Sequence, residues 1–287
     1  MNSKHFRVPH DEKIKLVDFD TAFTGDFKSK KEAKKDLEKD IARLAELQGI
    51  LYAHDTYSLL VIFQALDAAG KDSTIKHVMS GINPQGCQVY SFKSPSQEEL
   101  DHDYLWRCTT RLPERGRIGI FNRSYYEEVL VARVHPEIIE NQRLPEEAKK
   151  DIWKRRFNEI NNFEEHLVSS GTRIVKFFLH VSKGEQRRRF LDRIERPEKN
   201  WKFSAGDMKE RALWDDYQEA YQDMFNHTST KHAPWYIIPA DHKWFMRGAV
   251  AGILVDTLES LDIQYPVVSD EHRTELQDIK QQLEAEE

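Results

Sequence analysis

Apolar side chains recur at three- and four-residue steps between residue 31 and about residue 53, through Leu37, Ile41, Leu44, Leu47 and Leu51, with charged residues between them. That period predicts an amphipathic helix whose apolar face needs a partner. Further on, the pattern changes to short unbroken apolar runs at 58–63, 88–92, 117–121, 173–181 and 235–238. Such runs, rich in β-branched and aromatic residues, suit strands covered on both faces, as in a parallel sheet. Helical periods fill the intervals at about 72–81, 97–111, 124–134, 146–170, 184–196, 207–226 and 242–261.

The alternation predicts a three-layer α/β domain with a mostly parallel sheet, and no Pro/Gly/Ser-rich linker cuts 55–262 in two. One domain over 31–265 is expected. Residues 1–30 read as an extended polar arm that either wraps a neighbour or stays mobile. Residues 266–287 read as an acidic C-terminal tail or helix, with seven Asp or Glu after Ser269 against only Arg273 and Lys280.

Composition narrows the classes. Among 287 residues, 39% are hydrophobic and 32% charged, and 15 Phe, 10 Tyr and 6 Trp argue against wholesale disorder. With 43 Lys+Arg against 49 Asp+Glu, the net charge of −6 disfavours a nucleic-acid binder coated in positive charge, although it permits a local basic site. Two cysteines, Cys87 and Cys108, make no disulfide framework. Without a secretory-type leader or a run of about 20 apolar residues, a cytoplasmic protein with no membrane partner is expected. The histidines lack metal-ligand spacing, so zinc is not expected.

Three segments carry chemistry. Where the first apolar run gives way to a helix stands Leu66-Asp-Ala-Ala-Gly-Lys-Asp-Ser-Thr74. A phosphate loop needs small residues so that backbone N–H groups converge on oxygens, a helix N-terminus, and a lysine; Ala68, Ala69, Gly70 and Lys71 meet those needs. Ala65 replaces the usual first Gly, Asp72 takes the hydroxyl position, and Ser73 and Thr74 come late. Asp67 beside such a cradle repels phosphate unless it holds a metal ion or a proton. The second segment, Phe121-Asn-Arg-Ser-Tyr-Tyr126, ends an apolar run with Asn122 where many P-loop enzymes have Asp, followed by Arg123, which suits bidentate phosphate contact. Arg133 follows on the same predicted helix. The third spans 183–202, with eight bases against four acids, and places Arg189, Arg193 and Arg196 on one helical face. A basic helix–loop after a sheet strand is a candidate lid at about 183–206.

The three segments, in this order, closely resemble the polyphosphate kinase 2 family over about residues 30–262, and Gly81-Ile-Asn-Pro-Gln-Gly86 is similar to it as well. The resemblance implies a thymidylate-kinase-like P-loop fold and phosphoryl transfer between inorganic polyphosphate and AMP, ADP or ATP, with guanine nucleotides as further acceptors. It implies magnesium, with manganese as a substitute, and a homodimer or homotetramer. By resemblance, Ala68, Ala69, Gly70, Lys71, Asp72 and Ser73 hold polyphosphate, and Asp67 orients metal or acceptor. Asp67, Lys71, Asn122 and Arg123 form the catalytic set, while Arg133, Arg188, Arg189, Arg193, Lys199 and Lys202 join Asn122 and Arg123 in the nucleotide and lid set. The Asn122 form resembles the subgroup acting on both nucleoside mono- and diphosphates. Competing expectations are an ATP-dependent nucleoside monophosphate kinase, whose loop would be complete, and a noncatalytic polyanion-binding module.

Overall fold

The computed structural model describes residues 3–286 apart from 26 and 28. The apolar runs form five strands, β1 (Ser58–Gln64), β2 (Cys87–Ser91), β3 (Ile118–Asn122), β4 (Thr172–His180) and β5 (Trp235–Pro239). All pair in parallel, in the order β2-β3-β1-β4-β5. The central strand reads out both layers at once. Leu59, Val61 and Phe63 enter one core, while Leu60 and Ile62 enter the core on the opposite face.

On the first face lie α1 (Lys30–His54) and α6 (Lys243–Glu259); on the second lie α3 (Ile152–Ser169) and α5 (Trp214–Thr228). The Ser29 hydroxyl caps α1 by accepting from the Glu32 N–H, and the helix buries Leu44, Leu47 and Leu51. Each fully buried side chain of this kind contributes about 1.5–3 kcal/mol. The aromatic stripe Trp214, Tyr217, Tyr221 and Phe225 of α5 is core, as its spacing implied.

Four of the expected helices are interrupted, the one over 207–226 at Leu213, between the helix Ala205–Ala212 and α5. The segment 97–111 is two single turns, Gln97–Leu100 and Trp106–Thr109, separated where the Asp103 carboxylate accepts from the Leu105 N–H in a local turn. After β3 a 3₁₀ turn, Tyr125–Val129, gives way at Leu130 to the short helix Val131–Val134. Ahead of α3, Asp151 adopts φ 47° and separates it from the turn Glu146–Lys149.

The arm lies along its own domain. Val8 N–H donates to Trp235 O at 2.9 Å, Ile14 N–H to Asn226 Oδ1 at 2.8 Å and Leu16 N–H to Gln222 Oε1 at 3.0 Å. Phe6, Val8 and Leu16 are buried, so the arm covers the β5 margin, an edge that would otherwise offer unpaired backbone groups. At the other terminus, α7 (Asp270–Glu284) is exposed along its whole length. Among the described residues, no helix is long and apolar enough to cross a membrane.

Candidate active site

The connection from β1 to α2 (Lys71–Val78) turns on two left-handed residues, Ala68 at φ 61° and Gly70 at φ 115°. A Cβ at Gly70 would stand 3.2 Å from Met246 Cε and 3.4 Å from Ser73 Oγ, so the close turn needs glycine there. Gly70 is the N-cap and offers no side chain, which leaves the first amides of α2 for an outside acceptor. Ser73 and Thr74 spend their hydroxyls on Gly70 O, each at 3.0 Å. Lys71 reaches back across the loop and donates to Ala65 O at 2.6 Å. Burial, reinforced by the Arg123 guanidinium, pulls its ammonium down to about 8.

The exit from β3 is fixed from below. Tyr125 and Tyr126 send their hydroxyls to Glu164 Oε1 on α3, at 2.9 and 2.8 Å. Lys176 of β4 donates to Glu164 Oε2 at 2.5 Å, to Tyr126 Oη at 2.7 Å and to Thr228 O at 2.8 Å. Both charged side chains are 0% exposed. Above this network Arg123 takes φ 65°, and its guanidinium is held between Asp67 Oδ1 at 3.2 Å and Glu127 Oε2 at 3.4 Å. The two carboxylates hold the Arg123 charge firmly, Glu127 contributing most, while burial pushes the Glu127 carboxyl up. Asn122 Nδ2 donates to Asp72 Oδ1 at 2.7 Å, tying the β3 exit to α2.

The third wall is the basic segment: α4 (Lys183–Glu195), the 3₁₀ turn Pro197–Lys202 and the helix Ala205–Ala212. Arg189, almost fully buried, donates to Ala68 O at 3.0 Å, Ala69 O at 2.6 Å and Ala240 O at 2.5 Å, while Glu185 accepts from its Nε at 2.7 Å. The carbonyls of Ala68 and Ala69 are thereby satisfied from behind, and the Ala69 N–H is used on Leu66 O, leaving the first amides of α2 for the cleft. Lys199 pairs with Asp192 at 2.5 Å, and Arg193 donates to Lys202 O at 3.3 Å.

Together these elements enclose a cleft of about 520 Å³ at the C-terminal ends of the strands, where open α/β sheets bind ligands. Its wall carries eight Lys or Arg against Asp67, Asp72 and Asp192. A chain of net charge −6 has therefore concentrated positive charge at one place. Residues 27–266 match the family model described as Polyphosphate kinase 2.

The chain belongs to the polyphosphate kinase 2 family. An ADP-polyphosphate phosphotransferase of Rhodopseudomonas palustris is 52% identical over 99% of both chains. An AMP/ADP-polyphosphate phosphotransferase of Meiothermus ruber is 46% identical over 92% of this chain and 95% of its own. Among solved structures, Polyphosphate Kinase 2 from Arthrobacter aurescens TC1 superimposes with a TM-score of 0.87 at 39% identity, covering 96% of each chain. The architecture is thus the α/β P-loop kinase fold of this family.

In this family member the cleft gathers Asp67, Ala68, Gly70, Lys71, Asp72, Ser73, Asn122 and Arg123 with Arg189, Arg193, Lys199 and Lys202. Three expected residues stand apart from it. Ala69 is fully buried beneath the loop and contributes backbone only. Arg133 turns away with the helix after Leu130 and pairs with Asp223 at 2.6 Å. Arg188 points to solvent and forms two 2.6 Å bonds with Glu185. Arg189 is a brace for the loop, and Arg196 falls past the end of α4, paired with Glu198 at 2.6 Å. Lys93 and Glu127 escaped the sequence reading, and Lys243, near the end of the 235–238 run, read there as more structural than catalytic. The two lysines lie on the cleft wall just beyond the ends of β2 and β5, a position that strand-end logic alone could have marked. Glu127 stands four residues after Arg123, the spacing of a helical ion pair.

Proposed function

We infer that this chain transfers the terminal phosphoryl group of inorganic polyphosphate to AMP and ADP, forming ADP and ATP, reversibly and with magnesium. Guanine nucleotides are further acceptors and manganese a substitute ion. The observation that carries the reading is the cleft, in which a phosphate loop continues into a basic lid wall, a surface suited to a long polyanion. In the transfer, a phosphoanhydride bond at the polyphosphate end breaks and a new P–O bond forms to an acceptor phosphate oxygen, which shortens the polymer by one unit. Such chemistry calls for in-line positioning and charge neutralisation more than covalent help. The α2 amides and Lys71 grip the donor's terminal phosphate, Arg123 is pre-oriented by Asp67 and Glu127 for the acceptor, and Arg193, Lys199 and Lys202 neutralise the chain behind it.

Magnesium takes one or two carboxylates and completes its shell with water and phosphate oxygens, and the cleft's donor set of Asp67 and Asp72 fits that need. Bound there, the ion would neutralise charge on the transferring group. Asp67→Asn is accordingly expected to lower turnover by more than about threefold at saturating magnesium; a smaller change in steady-state kinetics removes Asp67 from this role.

The reaction itself is tested with two mixtures: protein, magnesium, polyphosphate and AMP or ADP, and protein, magnesium, ATP and AMP without polyphosphate. Product in the first mixture alone supports the reading; transfer only in the second supports an ATP-dependent kinase.

A pH dependence accompanies Lys71. Its ammonium titrates at about 8, below the ordinary lysine value, and a bound phosphate favours the charged form. Polyphosphate affinity is expected to be full below about pH 8 and to fall as pH rises through it. The stability of the unliganded fold moves oppositely, rising above about 8 because the unfolded chain still holds that proton. Calorimetric titration of polyphosphate across that window is the check, and Lys71→Arg should flatten the profile. A wild-type affinity that does not change there would contradict this assignment of Lys71.

A further inference from the structure

We propose that α7 is a pairing helix, and that its occupant is α7 of a second copy of this chain, laid parallel to it. Residues 27–266 account for the family match, and α7 at Asp270–Glu284 lies beyond them, so the proposal is independent of the reaction inferred above. Among the described residues, six of the thirteen exposed large hydrophobics fall within 265–283: Tyr265, Val267, Val268, Leu276, Ile279 and Leu283. Such a concentration marks an interaction surface. The helix buries no residue against its own domain, and an isolated helix of 15 residues is marginal in water, so α7 calls for a partner.

The charge pattern selects that partner and its direction. His272, Leu276, Ile279 and Leu283 follow four-, three- and four-residue steps and lie within about 60° of arc at roughly 100° per residue. They are the a and d positions of two heptads. Arg273 and Lys280 flank this stripe on one side and Glu275 on the other. In an antiparallel pair the basic flanks of the two copies would meet. In a parallel pair the basic flanks stand apart, and Glu275 of each copy comes beside Lys280 of the other across the two-fold axis. Within one copy, Glu275 meets His272 at 3.0 Å and Lys280 meets Glu284 at 3.6 Å, exposed contacts readily exchanged for intersubunit ones. A pair of this length covers less than a standard interface of about 1,600 Å², so assembly should depend on concentration.

The test is the mass of the full-length protein by sedimentation equilibrium over a wide concentration range. Ile279→Asp is expected to halve the mass of the assembled form while leaving the melting temperature and the activity per subunit unchanged. Glu275→Lys and Lys280→Glu should each weaken assembly at least tenfold, and the double exchange Glu275→Lys/Lys280→Glu should restore it. A wild-type mass for Ile279→Asp overturns the proposal, and so does a double exchange that fails to recover assembly, since that result denies the parallel pairing.

Discussion

Lys71→Ala is expected to lower kcat/KM for polyphosphate by at least about a thousandfold, the upper end of what removing one preorganised charge-stabilising donor costs. The side chain is nearly fully buried at the mouth of the loop, and no other cation sits on α2's first turn to replace it. Alanine also frees Ala65 O, which Lys71 Nζ now meets at 2.6 Å, but Lys71 itself lines the cleft and the space it leaves opens a path for water to that carbonyl. The melting temperature should therefore stay near wild type while turnover disappears, as steady-state kinetics and thermal denaturation on the same preparation would show. Retained turnover would mean that the loop does not hold the transferring phosphate.

Glu164 and Lys176 carry the second large effect, on folding. Their side chains are fully buried, and removing one partner of a buried ion pair costs about 3–5 kcal/mol because the other charge is stranded. Glu164→Gln and Lys176→Met are each expected to lose stability on that scale in denaturant unfolding, whereas the combined Glu164→Leu/Lys176→Met should recover part of the loss. Single changes costing less than about 1 kcal/mol would show that the network is not needed to hold the β3 exit. Glu164→Gln keeps an oxygen to accept from the Tyr125 and Tyr126 hydroxyls, so any activity defect of that variant should follow its folded fraction.

Much of the sheet was legible because each strand is an unbroken apolar run bounded by polar residues; β1 and β4 depart from their expected limits by one residue at most at either end. The loop from Asp67 to Ser73 was legible because phosphate cradles demand small residues before a helix. Arg133 was misplaced because periodicity continues through Leu130 while the backbone there leaves the helical region, at φ −113° and ψ −80°. Lys243, though near a strand end, read as structural and Lys93 went unmarked, since single lysines acquire their full meaning only when two strand ends meet in space. The arm's seating rests on Phe6, Val8 and Leu16, too few and too irregularly spaced to generate a period. Lys176 sits within the β4 run without any sequence signal of its role, which only Glu164, on a preceding helix, reveals as its counter-charge.

Arg189 sets a mechanical limit on the lid. By gripping Ala68 O, Ala69 O and Ala240 O at once, it pins the middle of α4 to the phosphate loop and to the end of β5. A swing of the whole helix would tear open three buried carbonyls. The distal turn, bearing Lys199 and Lys202, is itself tied back to α4 at Asp192, Arg193 and Ile194. The basic wall is therefore held at a fixed distance from the phosphate loop, and a lid motion that leaves Arg189 in place has to break the Asp192–Lys199 and Arg193–Lys202 contacts.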